Sequence, residues 1–197
     1  MKKKFFIIFI FLFALTQKSF SYSADPKEFI SEIVNEAKEI LTESNTKDFK
    51  TKKLSEMALK TVDIKALGLY SLGSYRKELS DEEMQQYHML FEKYFLISFS
   101  SRLSDYSEPK IEVLSAEVIN SKYTIVKSVL LPTDTRPEVK IEWRVYTKNP
   151  DKILIRDLII EGLSLARTQK EEFTSVLQTN NGEVAKLFAI LNKFIAK

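Results

Sequence analysis

His88 is the only histidine in the 197-residue chain, and the chain has no cysteine. Protein sites for zinc and other transition metals are built from Cys thiolates, His imidazoles and carboxylates in sets of three or four. One His and no Cys cannot supply such a set from the usual ligands, so no metal centre is expected. His88 falls mid-way along a helical pattern beside Tyr87, where a lone His is more often structural than catalytic. Asp157 and Glu161 could be read as an acid–base pair, with Ser164 close by as a nucleophile. Their four-residue spacing on or just past a strand does not fix a mutual geometry, and Ser164 has no His in its sequence context to activate it. No G-x-S-x-G elbow, P-loop or dinucleotide-binding glycine pattern occurs. The expectation is a protein that holds something rather than converts it: no enzyme, no metal, no cofactor.

The N-terminus says where such a protein would work. Lys2, Lys3 and Lys4 precede an apolar run from Phe5 to Leu15, followed by a polar stretch ending in small residues around Ser21, Ser23 and Ala24. That layout is a secretory signal peptide over residues 1–23, and the apolar run is too short to span a bilayer. The small-x-small pair Ser21 and Ser23 places the expected mature start near Ala24, and the lack of a following Cys excludes a bacterial lipoprotein anchor. The leader holds four Lys and no acid, leaving 26 basic and 27 acidic side chains over 24–197, a net charge of −1. The basicity is mostly the export signal. Nucleic acid is therefore not an expected partner, because phosphate-backbone binding needs clustered basic surface. With no Cys and only four Gly and five Pro, the remaining chain must be stabilised by packing, as one continuously folded domain.

Asp25-Pro26 with Glu28 reads as an N-cap and capping box opening a helix over 26–43, its apolar stripe running from Phe29 to Leu41. Shorter helical segments carry Leu54 and Met57, then Ile64 to Leu72, with Gly73 as a stop signal. Ser80 and Glu83 form a second capping box before a long helix over about 81–103, one face of which is lined by Met84, Tyr87, Phe91, Tyr94, Phe95 and Phe99. From Lys110 the apolar period changes to two. Val139, Ile141, Trp143 and Val145 alternate with Lys140, Glu142, Arg144 and Tyr146, the pattern of a half-buried antiparallel strand. Asn149–Lys152 is a turn by composition and 153–160 the returning strand. Gly162 closes the sheet, and two helical segments follow within 165–196. Helices over about 26–105, strands over about 110–161 and helices again define an α+β fold: a four-stranded antiparallel meander covered on one face by helices.

Several segments resemble one family. Leu72-Gly73-Ser74-Tyr75, Leu79-Ser80-Asp81-Glu82-Glu83 and the aromatic helix reaching Tyr106 are similar to the centre of the MlaC family of periplasmic phospholipid-binding proteins, also called toluene-tolerance auxiliary proteins. Val139–Arg144 resembles that family's penultimate strand, and Asp157–Leu165 its D-x-x-x-E-G-[VI]-S-[LM] signature. Arg76, Lys170 and the Asn180-Asn181-Gly182 break depart from the usual pattern at the surface and at one helix end. The resemblance covers about Pro26 to Leu191. It implies an NTF2-like fold with an added helical subdomain. It also implies a soluble carrier that shuttles phospholipid through the periplasm and helps keep outer-membrane lipid asymmetric. The implied partners are an outer-membrane lipoprotein–porin complex and an inner-membrane ABC transporter with an MCE-domain subunit.

A lipid carrier needs a dry slot for acyl chains with the head group left in water. The residues expected to line it are the strand positions Val113, Ile125, Val129, Trp143, Val145, Ile155 and Leu158, faced by Phe91, Tyr94 and Phe95. Plain core packing has the same sequence pattern. Two other readings remain at this point: an exported protein-interaction factor with a filled core, and an enzyme on an NTF2-like scaffold.

Overall fold

The structure is a computed structural model that describes residues 22–104 and 109–196. Residues 1–21 of the expected leader, and Tyr106, lie outside the described residues.

Helix α1 (Pro26–Thr42) starts as its sequence dictates. Asp25 accepts the backbone N–H groups of Lys27 and Glu28, both at 2.9 Å, and Pro26 occupies the first turn, where a missing N–H is harmless. Glu28 does not close the box on the Asp25 N–H; it accepts the Ser23 hydroxyl at 3.0 Å instead. Helices α2 (Lys47–Thr61) and α3 (Ile64–Leu72) follow, then a 3₁₀ turn over Gly73–Lys77. Gly73 ends α3 at φ +59°, a conformation that favours glycine. The second capping box forms in full: the Ser80 N–H donates to Glu83 at 2.9 Å, and the Glu83 N–H to Ser80 Oγ at 3.2 Å. It opens α4 (Asp81–Ser104).

Strands β1 (Ile111–Asn120), β2 (Tyr123–Leu130), β3 (Val139–Tyr146) and β4 (Leu154–Ile160) form the antiparallel meander, joined by a two-residue β5 (Leu163–Ser164) in the order β1-β2-β3-β4-β5. The fifth strand arises because Glu161 and Gly162 both take positive φ, 49° and 81°, making a tight reversal that pairs Ile160 with Leu163. Gly162 turns the sheet once more rather than ending it. Helices α5 (Leu165–Thr179) and α6 (Val184–Ile195) complete the α+β fold.

The register defines two faces. Val126 opposite Trp143, Thr124 opposite Val145, and Trp143 opposite Leu158 share the inner face; Ile125 opposite Arg144, and Arg144 opposite Asp157, share the outer one. A bulge in β4 at Arg156 lets Ile155 return to the inner face beside Val145.

Two cores result. In the first, α1 and α2 bury Phe29, Ile30, Ile33, Leu54 and Met57 with Val126, Val145 and Ile155 of the inner face. The second lies among α3, α4, α5 and α6 and centres on Tyr87, Phe91, Phe173, Leu177, Leu187 and Phe188. Tyr87 is fully buried, and its hydroxyl donates to the Gly68 carbonyl at 2.9 Å. Burial pushes that phenol well above the ordinary tyrosine range.

Candidate functional site

The Asp157–Ser164 cluster, read from the sequence as a candidate for catalysis, is occupied by structural work. Asp157, 2 % exposed at its side chain, accepts the Ser164 hydroxyl at 2.7 Å, the Ala166 N–H at 3.0 Å and the Arg144 guanidinium at 3.3 Å. Ser164 in turn caps α5 by accepting the Arg167 N–H at 3.1 Å. Every strong bond of this pair is spent tying β4 and β3 to the start of α5, and none is directed at a proton-transfer partner. Glu161 sits in the positive-φ turn rather than beside Asp157. His88, on α4, is held below the usual histidine range by burial and by the neighbouring Lys65.

The ten residues expected to line a slot do not converge. Val113, Trp143, Val145, Ile155 and Leu158 share the inner face, but Ile125 and Val129 point to the outer one, opposite Arg144 and Lys140. Strand β2 has apolar side chains on both faces, so a period-two pattern cannot tell which set turns inward. The three helical residues also look elsewhere than expected. Phe91 is buried in the helical core, its ring 5.7 Å from Tyr87 and 6.1 Å from Phe173. Tyr94 packs edge-on against Phe194 at 4.9 Å and donates its hydroxyl to Gln169 at 2.8 Å. Only Phe95 leads toward the sheet core, stacking on Phe99 at 5.8 Å.

A different set forms an apolar margin. Phe99 and Leu103 on α4, and Ile111, Val113 and Trp143 on the sheet, are partly buried and pack against the first core. Phe95 and Leu96, also partly buried, pack against the second. The main packing partners of α4 are α2, α6 and α3 rather than strands. The partly buried apolar side chains of its C-terminal half and of the inner face make up the margin, or seam, of the first core. The indole N–H of Trp143 is satisfied by Ser128 Oγ at 2.9 Å, so the ring needs no polar ligand. Phe99 was legible only as a member of the α4 stripe, its i, i+4 spacing from Phe95 being the one local signal, and Leu103, one further step of four along, was not among the residues read there.

The outer face carries an open cleft of about 820 Å³, where Leu67 and Tyr70 of α3 overhang Ile125, Arg144, Arg156 and Ile159. Its charges are organised before any ligand arrives. Arg156 donates to Asp63 at 2.8 Å and to the Tyr123 hydroxyl at 3.2 Å, and lies 3.5 Å over the ring of Tyr146. An acyl chain laid there would strip water from ion pairs, which costs free energy, whereas the margin of the inner face is mostly hydrocarbon. Of the expected slot residues, Ile125 lies in this cleft, and Val113 and Trp143 at the apolar margin.

Comparison with known proteins adds to this geometry. The sequence model of one family, described as MlaC protein, matches residues 30–193. A solved structure described as the phospholipid-binding protein from Ralstonia solanacearum in complex with a phospholipid superposes with a TM-score of 0.72 at 18% sequence identity. The match covers 88% of this chain and 97% of that one, and it establishes a shared fold.

Proposed function

Because this chain belongs to the MlaC family, we propose that it is an exported phospholipid carrier, not an enzyme, which holds acyl chains in the seam between α4 and the inner face of the sheet. The observation that carries the reading is the set of partly buried apolar side chains at the margin of the first core, Phe99 and Leu103 from α4 and Val113 and Trp143 from the sheet. The phospholipid recorded in the structurally similar Ralstonia protein supports the same ligand class. The energetics require nothing more elaborate. Each methylene withdrawn from water is worth about 0.8 kcal/mol, so a dozen supply on the order of 10 kcal/mol without polar readout.

In this reading the protein works in the periplasm of a diderm bacterium, released from its N-terminal leader. It exchanges lipid with an outer-membrane lipoprotein–porin complex and with an inner-membrane ABC transporter bearing an MCE-domain subunit. The Asp157–Ser164 network is scaffold rather than machinery, since its bonds are already committed to the start of α5.

Mass spectrometry of an organic extract of the purified protein tests the proposal. Phospholipid in amounts approaching one per chain is the expected result. Extracts free of lipid, from protein whose circular dichroism shows it folded, would favour the protein-interaction reading instead.

A further inference from the structure

Tyr22 and Ser23 fall within the expected leader, yet they are built into the fold. The Tyr22 ring meets Phe29 edge-on at 5.7 Å and packs against the first core, and its hydroxyl donates to Glu36. The Ser23 N–H donates to Glu32 at 2.8 Å and its hydroxyl to Glu28 at 3.0 Å, while the same hydroxyl accepts the N–H of Asp25, the cap of α1, at 3.1 Å. A leader residue discarded after export has no reason to match its partners this closely. The three acceptors are themselves unusual. Glu28, Glu32 and Glu36 repeat every four residues on one face of α1, and among the described residues none is paired with a Lys or Arg. Like charges at that spacing repel and weaken a helix unless something positive lies on them.

We propose that the leader is released between Ser21 and Tyr22, and that the α-ammonium group so created lies on the Glu28–Glu32–Glu36 stripe as its counter-charge. The proposal rests on the export reading and moves the cut two residues upstream of the Ser23–Ala24 bond. Ser19 and Ser21 supply the small-x-small pair for this cut, closer to the end of the apolar run at Leu15. The step is a hydrolysis by a signal peptidase. Water breaks the Ser21–Tyr22 peptide bond, its oxygen enters the new Ser21 carboxylate, and the freed Tyr22 amine takes up a proton. A new chain end then does what a lysine would do elsewhere: it neutralises an acidic helix face, and the adjoining ring staples the start of α1 to the core.

The test has two arms. The full chain, expressed with its leader in a diderm host and recovered from the periplasm, is weighed intact and sequenced from its N-terminus. Tyr22 as the first residue is the expected result. Ala24 as the first residue would overturn this inference alone, whereas an intact Met1 in the membrane pellet would overturn the export reading itself. In the second arm, chains released from a removable fusion to begin at Tyr22 or at Ala24 are melted side by side. The Ala24 form is expected to melt lower by about 3–6 °C, and Nα-acetylation of the Tyr22 form, which removes the charge but keeps the ring, to cause part of that loss. Equal melting temperatures for all three would show that the stripe needs neither the ring nor the charge.

Discussion

Around the sheet the buried side chains are mostly aliphatic, from Ile30 and Ile33 to Val126 and Val145, whereas the helical core is knit by rings. Tyr87 alone has Phe91, Phe173 and Phe188 within 6.5 Å, at angles from stacked to perpendicular. The two cores meet at Val62, which packs on both, but they solve different problems. Large rings interlock and hold four helices to one another; the aliphatic core ends in a margin of partly buried side chains around Trp143, Phe99 and Leu103, where the proposed function places the acyl chains. The aromatic wealth of this protein therefore marks its rigid part. Its candidate binding surface is the plainer one.

The strongest challenge to that division is truncation in the helical core. Phe173→Ala should cost about 3–5 kcal/mol in urea unfolding, while the folded fraction still carries its lipid. Phe91→Asp should lose the fold outright, because it buries an unpaired carboxylate. Lipid loss from Phe173→Ala at unchanged stability would place the ligand among the rings and dissolve the distinction.

Gly68→Ala probes the same core from its tightest point. A Cβ there would stand 2.9 Å from Phe91 Cδ1, and the ring has Tyr87 and Phe173 beside it. Overpacking of this kind costs about 1–3 kcal/mol, read as a lowered urea midpoint with an unchanged slope. An unchanged midpoint would show that the ring network yields more easily than its packing implies.

Trp143→Ala should behave in the opposite way. The ring is only partly buried, so roughly 1–2 kcal/mol of stability is expected to go, but lipid recovered per folded chain should drop sharply. Because Trp143 is the only tryptophan, delipidation should also shift its emission and added phospholipid restore it. Emission indifferent to lipid would move the seam away from this residue.

The smallest effect expected is Tyr87→Phe, which removes the bond to Gly68 and about 1 kcal/mol. It carries a pH signature as well. Burial raises the Tyr87 phenol in the folded state, so its contribution is complete below the unfolded value near 10 and declines as pH climbs above it. Alkaline melts of Tyr87→Phe should therefore fall less steeply above pH 10 than those of the parent. Some slope remains because burial also raises Tyr22 and Tyr94.

Helix starts were legible because capping chemistry is local: Asp25-Pro26 and Ser80–Glu83 each act within a few residues of themselves. The clean alternation through Val139–Val145 gave the phase of β3, and Trp143 lies inward as read. The phase of β2 was not legible, since Ile125 and Val126 are both buried, on opposite faces. The partners of Phe91 and Tyr94 were equally hidden. Their stripe on α4 announces a buried face, but the helices that cover it come from residues 165–195, far along the chain. The outer cleft joins Asp63 to Arg156 across 93 positions, which no local pattern reports.

By itself, then, the chain determined a helical, then β, then helical protein without a thiol, because amphipathic period and residue inventory are read from the sequence directly. Which apolar residues seal a core and which border an opening was decided only by tertiary structure. A wall and a core are written in the same side chains, and they differ only in whether another element arrives to cover them.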